Sequence, residues 1–386
     1  MLRGVQNNKL YMKVLSYNIL ADCYSHYFMF KYVDHAYLKF GFRSYRILEE
    51  IKSSDSDIIC LQEVDHIKDF YKPRLEQLGY DLQFTLRREK DAVMVGYKRD
   101  QFVLIKSEPV DYNDVAELFD DKSLKLHNKA IICLLQHKES LKYFIVISSH
   151  LYWGQDFVRS AQILYLIKRL SSFIENEVEK LMSKGSQISV IACGDFNSGI
   201  NKPAIKMMYG DQTIINQEMK TDSVTKEDST LLPKDSSLVQ DLKLSPKEWE
   251  LYKKILVEYK KEAEHLNRVK FLSAYQNYFE HEHSQQCKIQ NLTKVENNQE
   301  TQQEGPVQES QLTQDYNCRV KGHPLHTNFT SKYQDHFDYI FHTNDMSVES
   351  LLEVPTLDVL TKETALPNKM FPSDHLRMEA ILSMKL

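Results

Sequence analysis

Apolar positions along the chain fall into two periods. Nine short runs rich in Val, Ile, Phe and Tyr read as strands, at 13–20, 57–64, 92–97, 102–105, 129–136, 143–151, 188–196, 337–342 and 376–382. Several, such as Ile58-Ile59-Cys60-Leu61 and Val190-Ile191-Ala192-Cys193, are continuous apolar runs, which predicts burial on both faces. Between them the period lengthens. Phe157, Ala161, Leu164, Ile167, Leu170, Ile174, Val178 and Leu181 step by three or four and predict a helix over 156–182. A second helix is predicted over 246–267. It opens on Ser245-Pro246 with Glu248 three residues after the serine, a reciprocal capping signature. Shorter helices are expected at 43–51 and 67–78. Strands alternating with helices place the chain in the α/β class.

Two stretches break the pattern and read as insertions in one catalytic domain spanning 10–386. Residues 211–245 are polar, without a sustained period, and contain Pro233. In 284–317, thirteen of 34 positions are Gln or Asn and Tyr316 is the sole aromatic. Such a segment buries too little apolar surface to offset its chain entropy, so a disordered loop is expected there.

Composition adds boundaries to this picture. Of 386 residues, 54 are acidic and 49 are Lys or Arg, a formal net charge of −5. An acidic balance sits awkwardly with nucleic-acid binding, which usually comes with a basic surface. The 284–317 stretch carries two Lys against five acids, so it supplies −3 of that total. Three of the six cysteines (Cys60, Cys133 and Cys193) lie in apolar runs, and no CxxC pair occurs. They read as reduced core residues, not as a zinc site or disulfide frame. With no membrane-length apolar stretch and no secretory signal, a cytoplasmic or nuclear address without membrane contact is expected.

Polar residues cluster where apolar strands end: Ser16-Tyr17-Asn18, Gln62-Glu63, Ser149-His150, Gly194-Asp195-Phe196-Asn197-Ser198, His336-Phe337-Asp338 and Pro372-Ser373-Asp374-His375. Each alone has an ordinary reading as turn chemistry or a satisfied polar residue. Together they show an acid, amide or imidazole recurring where buried strands emerge, the usual location of sites in α/β folds. Four carboxylates (Glu63, Asp195, Asp338, Asp374) with two amides and two histidines suit a hard, oxygen-liganded cation, Mg²⁺ or Mn²⁺. With a nearby Asp and His, this is equipment for phosphoester hydrolysis. The basic groups Arg87-Arg88-Glu89-Lys90 and Lys98-Arg99 read as solvated loop charges, with guidance of RNA as the alternative.

These six motifs, in this order, resemble the endonuclease/exonuclease/phosphatase superfamily. They are most similar to its carbon-catabolite-repressor-type deadenylases and their angel, nocturnin and 2′-phosphodiesterase relatives. The details that support the narrower likeness are Ser-Tyr-Asn-Ile-Leu-Ala-Asp at 16–22, Asp-Ile-Ile-Cys-Leu-Gln-Glu-Val at 57–64 and His-Leu-Tyr-Trp at 150–153. Thr-Asn-Phe-Thr at 327–330, Asp-Tyr-Ile-Phe at 338–341, Leu-Pro-Asn at 366–368 and Pro-Ser-Asp-His at 372–375 complete the set. The resemblance implies a four-layer α/β sandwich of the DNase I-like kind, with two packed mixed sheets and helices outside. It implies that Glu63 is the principal Mg²⁺ ligand, with Asn18 and Asp374 beside it. Asp195 would orient or deprotonate the attacking water, and Asn197 and His150 would donate to phosphate oxygens. His375 would contact the scissile phosphate, its ring held by Asp338. Tyr333, five positions before Asp338, takes the place of a residue that stacks on adenine in the deadenylases, with Tyr152 a second substrate contact. A proline that completes the adenine slot in that family is replaced here by Gly154-Gln155, which weakens the case for strict poly(A) preference.

The implied activity is a Mg²⁺-dependent 3′→5′ exoribonuclease releasing 5′-nucleotides from single-stranded RNA 3′ ends, poly(A) foremost. The alternatives are a phosphatase or phosphodiesterase of the same fold, acting on 2′–5′ oligoadenylate, a terminal cyclic phosphate or a nucleotide cofactor, and a non-catalytic RNA-binding protein. The first motif begins near residue 13, which leaves no room for a leucine-rich-repeat tether, so a stand-alone monomer is expected.

Overall fold

The computed structural model describes residues 3–182, 188–211, 213–214, 244–265, 269–276 and 323–386. The insertion predicted at 284–317, and nearly all of that at 211–245, lie outside the described residues. All nine predicted strands form. In chain order the strands are β1 (Gly4–Gln6), β2 (Lys9–Asn18), β3 (Ile58–Val64), β4 (Tyr80–Arg87), β5 (Asp91–Lys98), β6 (Phe102–Asp111), β7 (Lys129–His137) and β8 (Tyr143–His150). They continue with β9 (Ser189–Asp195), β10 (Phe271–Ser273), β11 (Asn328–Phe329), β12 (Gln334–Asp335), β13 (Asp338–Thr343), β14 (Met346–Leu351) and β15 (Met378–Lys385).

One sheet runs β14-β15-β2-β3-β5-β4, with β1 also paired to β2; the other runs β10-β13-β9-β8-β7-β6. Each sheet holds one parallel pair, β2 with β3 and β8 with β9, and the remaining pairs are antiparallel. Side-chain alternation sorts each central strand between two cores. Ile58 and Cys60 face the interior between the sheets, against Cys133, Val146, Ile191, Cys193 and Ile340. Ile59 and Leu61 face outward, where Ile47 and Ile51 of helix α1 (Phe40–Ser54) cover them. On the far side, Ile132, Ile145 and Val190 pack under α2 (Asp156–Phe173) and α3 (Pro246–His265). The result is the expected helix–sheet–sheet–helix order, with Cys60, Cys133 and Cys193 as free buried thiols.

Local signals also translate. Ser245 N–H and Oγ–H both donate to Glu248 Oε2, at 2.8 and 2.7 Å, and start α3 as predicted. The helix predicted over 156–182 is shorter: α2 ends at Phe173 and a π-turn, Ile174–Val178, follows, its wider winding keeping Val178 buried. Strand β6 continues past residue 105 after a bulge between Leu104 and Lys106, and accommodates Pro109 because it is an edge strand. Among the described residues no helix is long and apolar enough to cross a membrane.

Candidate active site

The two parallel pairs explain why the polar motifs converge. Both pairs end at the same edge of the sandwich, so Asn18 and Glu63 leave one sheet where His150 and Asp195 leave the other. The antiparallel neighbours arrive there from the opposite direction. Asp338 opens β13 directly across from Asp195, and Asp374 and His375 lie just ahead of β15, which pairs with β2. Backbone strain marks the same place. Glu63 (φ 56°), Asn197 (φ 48°) and Leu20 (φ 54°) all occupy the left-handed region that non-glycine residues rarely adopt. Glu63 sits in a break of the β3–β5 register between Leu61 and Val64, which turns its carboxylate into the cleft.

Asp195 is the hub. Its Oδ2 accepts from Asn18 Nδ2 at 2.9 Å, and its Oδ1 accepts from the Asn197 N–H at 2.8 Å. His150 Nε2 and His375 Nε2 approach the same Oδ2 to 3.5 and 3.6 Å. His375 Nδ1 lies 2.8 Å from Asp338 Oδ2, which fixes the ring plane. Asn197 Nδ2 donates to the Leu151 carbonyl at 3.0 Å, tying the Asp195 loop to the His150 loop. Glu63 Oε2 accepts from Ala21 N–H at 3.1 Å, and its Oε1 lies 4.0 Å from His150 Nε2. Asp374 is half-buried with Oδ1 unpartnered. Eight of the ten residues singled out from sequence therefore gather at one edge.

The other two are placed differently. Tyr333 stands 53% exposed at the tip of the β11–β12 hairpin, whose Asn328 bridges His375. Tyr152 packs partly against the core, its N–H donating to Gln162 Oε1 at 2.8 Å. Its ring also lies across Gly154, where an added Cβ would meet ring carbons at 2.3 Å. Trp153, 69% exposed beside it, is the more available aromatic and was not singled out from sequence. The reading of Arg87 as a solvated loop charge is corrected. Its guanidinium is held by Asp91 at 2.8 Å and stands 3.8 Å from Glu63 Oε1, at the end of β4 that borders the cleft. Lys98 is likewise paired, 2.8 Å from Asp55.

The electrostatics are those of crowded, dehydrated acids. Burial pushes Glu63 up to about 7, with Asp374 and Asp91 adding to the effect and Arg87 and His375 opposing it. Burial likewise raises Asp195 and Asp374. Burial works against a charge on His375, but the carboxylates of Asp338, Asp195 and Asp374 outweigh it and hold the ring well above the ordinary imidazole range. His150 goes the other way: burial, then Arg87 and His375, keep it neutral. Its Nδ1 has no partner, so Nε2, which faces the carboxylates, carries the proton.

Asp195, Asp338 and His375 bring ligand-type atoms within 4.8 Å of one another. A protonated imidazole locked to a carboxylate offers an ion no lone pair, however: His375 is hydrogen-bonded to Asp338, and its Nε2 stands 3.6 Å from Asp195 Oδ2 as a charge pair. The oxygens that remain for a divalent cation are those of Glu63 and Asp374 with the second lone pair of Asn18 Oδ1. The unpartnered Oδ1 of Asp374 and the raised acids fit such an ion, since added positive charge would relieve both.

The profile of the Endonuclease/Exonuclease/phosphatase family matches residues 15–375. The chain is 30% identical over 244 residues to the CCR4-Not complex 3′-5′-exoribonuclease subunit Ccr4 of Yarrowia lipolytica, covering 53% of this chain and 34% of that protein. It is 31% identical over 211 residues to protein angel homolog 2 of Bos taurus, covering 51% of this chain and 36% of that protein. Carbon catabolite repressor protein 4 homolog 1 of Arabidopsis thaliana aligns over 95% of this chain and 56% of its own length at 26% identity. The chain thus spans about a third to just over half of these relatives. Among solved structures, ANGEL2, described as a 2′,3′-cyclic phosphatase, superposes with a TM-score of 0.66 at 21% identity, covering 98% of this chain and 97% of that one. The human Nocturnin catalytic domain gives 0.55 at 20% identity, covering 99% and 95%. The chain belongs to the endonuclease/exonuclease/phosphatase family, whose members are hydrolytic enzymes.

Proposed function

We propose that this hydrolase is a Mg²⁺-dependent 3′→5′ exoribonuclease that shortens single-stranded RNA, with A-rich 3′ ends as preferred substrate. The observation that carries the proposal is the convergence on Asp195 Oδ2 of Asn18, His150 and His375. That is one carboxylate flanked by two neutral donors and a charged one. Ccr4 relatives described as 3′-5′-exoribonucleases supply the reaction class. A bound Mg²⁺ on Glu63, Asp374 and Asn18 would neutralise phosphate charge and polarise water.

The chain's own residues account for the rest. Asp195, fixed through both oxygens, orients the attacking water and accepts its proton. The P–O3′ bond breaks as the new P–O bond forms, and the departing 3′ oxygen takes up a proton from solvent. His375, kept protonated by Asp338, neutralises the phosphoryl oxygens as charge builds in the five-coordinate state. His150 Nε2–H and Asn197 donate to the same phosphate. Tyr333 offers an exposed ring for the terminal base, worth about 1–3 kcal/mol of stacking.

A second reading, hydrolysis of a terminal 2′,3′-cyclic phosphate, is favoured by the 31% identity to protein angel homolog 2 and by the described activity of ANGEL2. The polar Gly154-Gln155 wall in place of a proline also points away from strict adenine selection. Labelled oligo(A), oligo(U), oligo(C), 2′–5′ oligo(A) and cyclic-phosphate-terminated RNA, each with Mg²⁺ or chelator and with Asp195→Asn alongside, separate the two. A one-nucleotide ladder on 3′–5′ RNA that needs both Mg²⁺ and Asp195 supports the exonuclease. Inertness toward 3′–5′ linkages with opening of the cyclic phosphate overturns it.

A further inference from the structure

Arg43, in the first turn of α1, is 1% exposed, and no carboxylate lies within salt-bridge distance of it among the described residues. Its guanidinium is spent on main-chain carbonyls instead. Nη2 donates to Leu20 O at 2.8 Å, Nη1 to Ile19 O and Pro372 O at 3.2 Å each, and Nε to Leu38 O at 3.4 Å. A buried cation that takes only neutral partners is costly to keep, so what it joins matters. Leu20 is in the left-handed region at φ 54°. With the chain turned that way, the Leu20 N–H donates to Asn18 Oδ1 at 3.1 Å and the next N–H, of Ala21, donates to Glu63 Oε2 at 3.1 Å. The Pro372 carbonyl lies two residues before Asp374, and Ser373 Oγ donates to Asn18 O at 2.7 Å, completing the tie between the two ends of the chain.

We infer that Arg43 is a positioning residue for the cation site: it holds the strained Ile19–Leu20 turn and the Pro372 turn together, and so aims Asn18, Glu63 and Asp374 at one point. Arg43 itself touches none of the reacting groups. The inference rests on the proposed assignment of those three residues to a divalent ion, and the experiment separates failure of the one from failure of the other.

Arg43→Lys keeps the charge but lacks the planar fork that reaches four carbonyls. Arg43→Met keeps the bulk and removes every donor. Ile47→Ala, one turn along the same helix and 1% exposed, removes buried volume from the cluster that also holds Ile19 while leaving every hydrogen bond to the two turns in place. Mn²⁺ titration by electron paramagnetic resonance reads the site, and hydrogen exchange at the Leu20 and Ala21 amides of the metal-free protein reads the turn. Both Arg43 variants should weaken Mn²⁺ binding about 10- to 100-fold, the usual cost of removing groups that orient ligands. They should also deprotect the two amides, while Ile47→Ala keeps both properties within about threefold of wild type. Should Arg43→Met not fold, Arg43→Lys carries the same test. Wild-type Mn²⁺ affinity and amide protection in the Arg43 variants, or equal losses in Ile47→Ala, would overturn the inference. A wild-type protein whose Mn²⁺ binding is unchanged by Glu63→Gln would instead overturn the ligand assignment, with the amide readout still judging the hold of Arg43 on the turn.

Discussion

Replacing Asp338 by Asn keeps the shape of the His375 contact and removes its charge. The two groups are 2.8 Å apart and both buried, so solvent screens them little. At about 4 Å between charge centres and an effective dielectric near 20, the attraction is about 4 kcal/mol, or roughly a 10³-fold change in proton affinity of the ring. Asp195 and Asp374 keep part of the hold on the imidazolium. The expected loss of proton affinity in Asp338→Asn is therefore between about 10- and 10³-fold, with burial then driving His375 toward the neutral form. Following the His375 ring by NMR in metal-free protein, assigned against His375→Gln, measures this directly. Turnover at neutral pH should fall about 10²- to 10⁴-fold, the usual scale for one acid–base or charge-stabilising group, and should partly recover as pH is lowered and the ring reprotonates. If Asp338→Asn titrates His375 as wild type does, Asp338 is not the source of its charge and the assigned role of this pair is wrong.

Other outcomes follow from the same geometry. In metal-free protein, Glu63 binds its proton up to about pH 7, above its ordinary 4.5. The folded state thus holds more protons than the unfolded one between those values, and stability must fall as pH rises through that window, by about 3 kcal/mol. Urea unfolding of wild type and Glu63→Gln across this range should show the variant with the flatter profile; parallel profiles would refute the shift. Gly194 has φ 153°, and an added Cβ would stand 2.0 Å from Ser149 O, one register step from the His150–Asp195 pair. Gly194→Ala should cost about 3 kcal/mol or more in thermal unfolding and displace His150 from Asp195. Tyr333→Ala should leave the melting temperature unchanged, because the ring is exposed. It should raise KM for oligo(A) about 5- to 150-fold, the equivalent of 1–3 kcal/mol of stacking; an unchanged KM removes Tyr333 from the substrate path.

Much of this arrangement is legible in the sequence because buried parallel strands announce themselves. The runs ending in Asn18, Glu63, His150 and Asp195 are largely apolar and are buried almost throughout, which requires cover on both faces. A polar residue at the end of such a run has few reasons to be there except chemistry. Strands β4 and β14 escaped notice for the converse reason. As sheet edges they mix Asp, Gln, Thr, Ser and Glu into their runs and carry partly exposed side chains. Two-residue pairs such as β11 and β12 carry no period at all.

Depth is what a sequence conceals in its arginines. Arg43 and Arg87 are written like the surface cations around them, Arg46 and Arg88, yet one is sealed among carbonyls and the other is clamped by Asp91 beside Glu63. Their burial also changes the meaning of the acidic balance. Net charge counts every carboxylate equally, whereas this cleft strips water from Glu63, Asp195 and Asp374 and leaves Arg87, His375 and Arg43 as the cations that act on them. A phosphate approaching such a site meets repulsion unless a divalent ion arrives with it. A chain of net charge −5 with acids concentrated here should therefore bind RNA through its 3′-terminal phosphodiester and metal, with little contribution from a basic track. Its affinity should accordingly fall only shallowly with added salt, and a steep salt dependence measured by fluorescence anisotropy would contradict that.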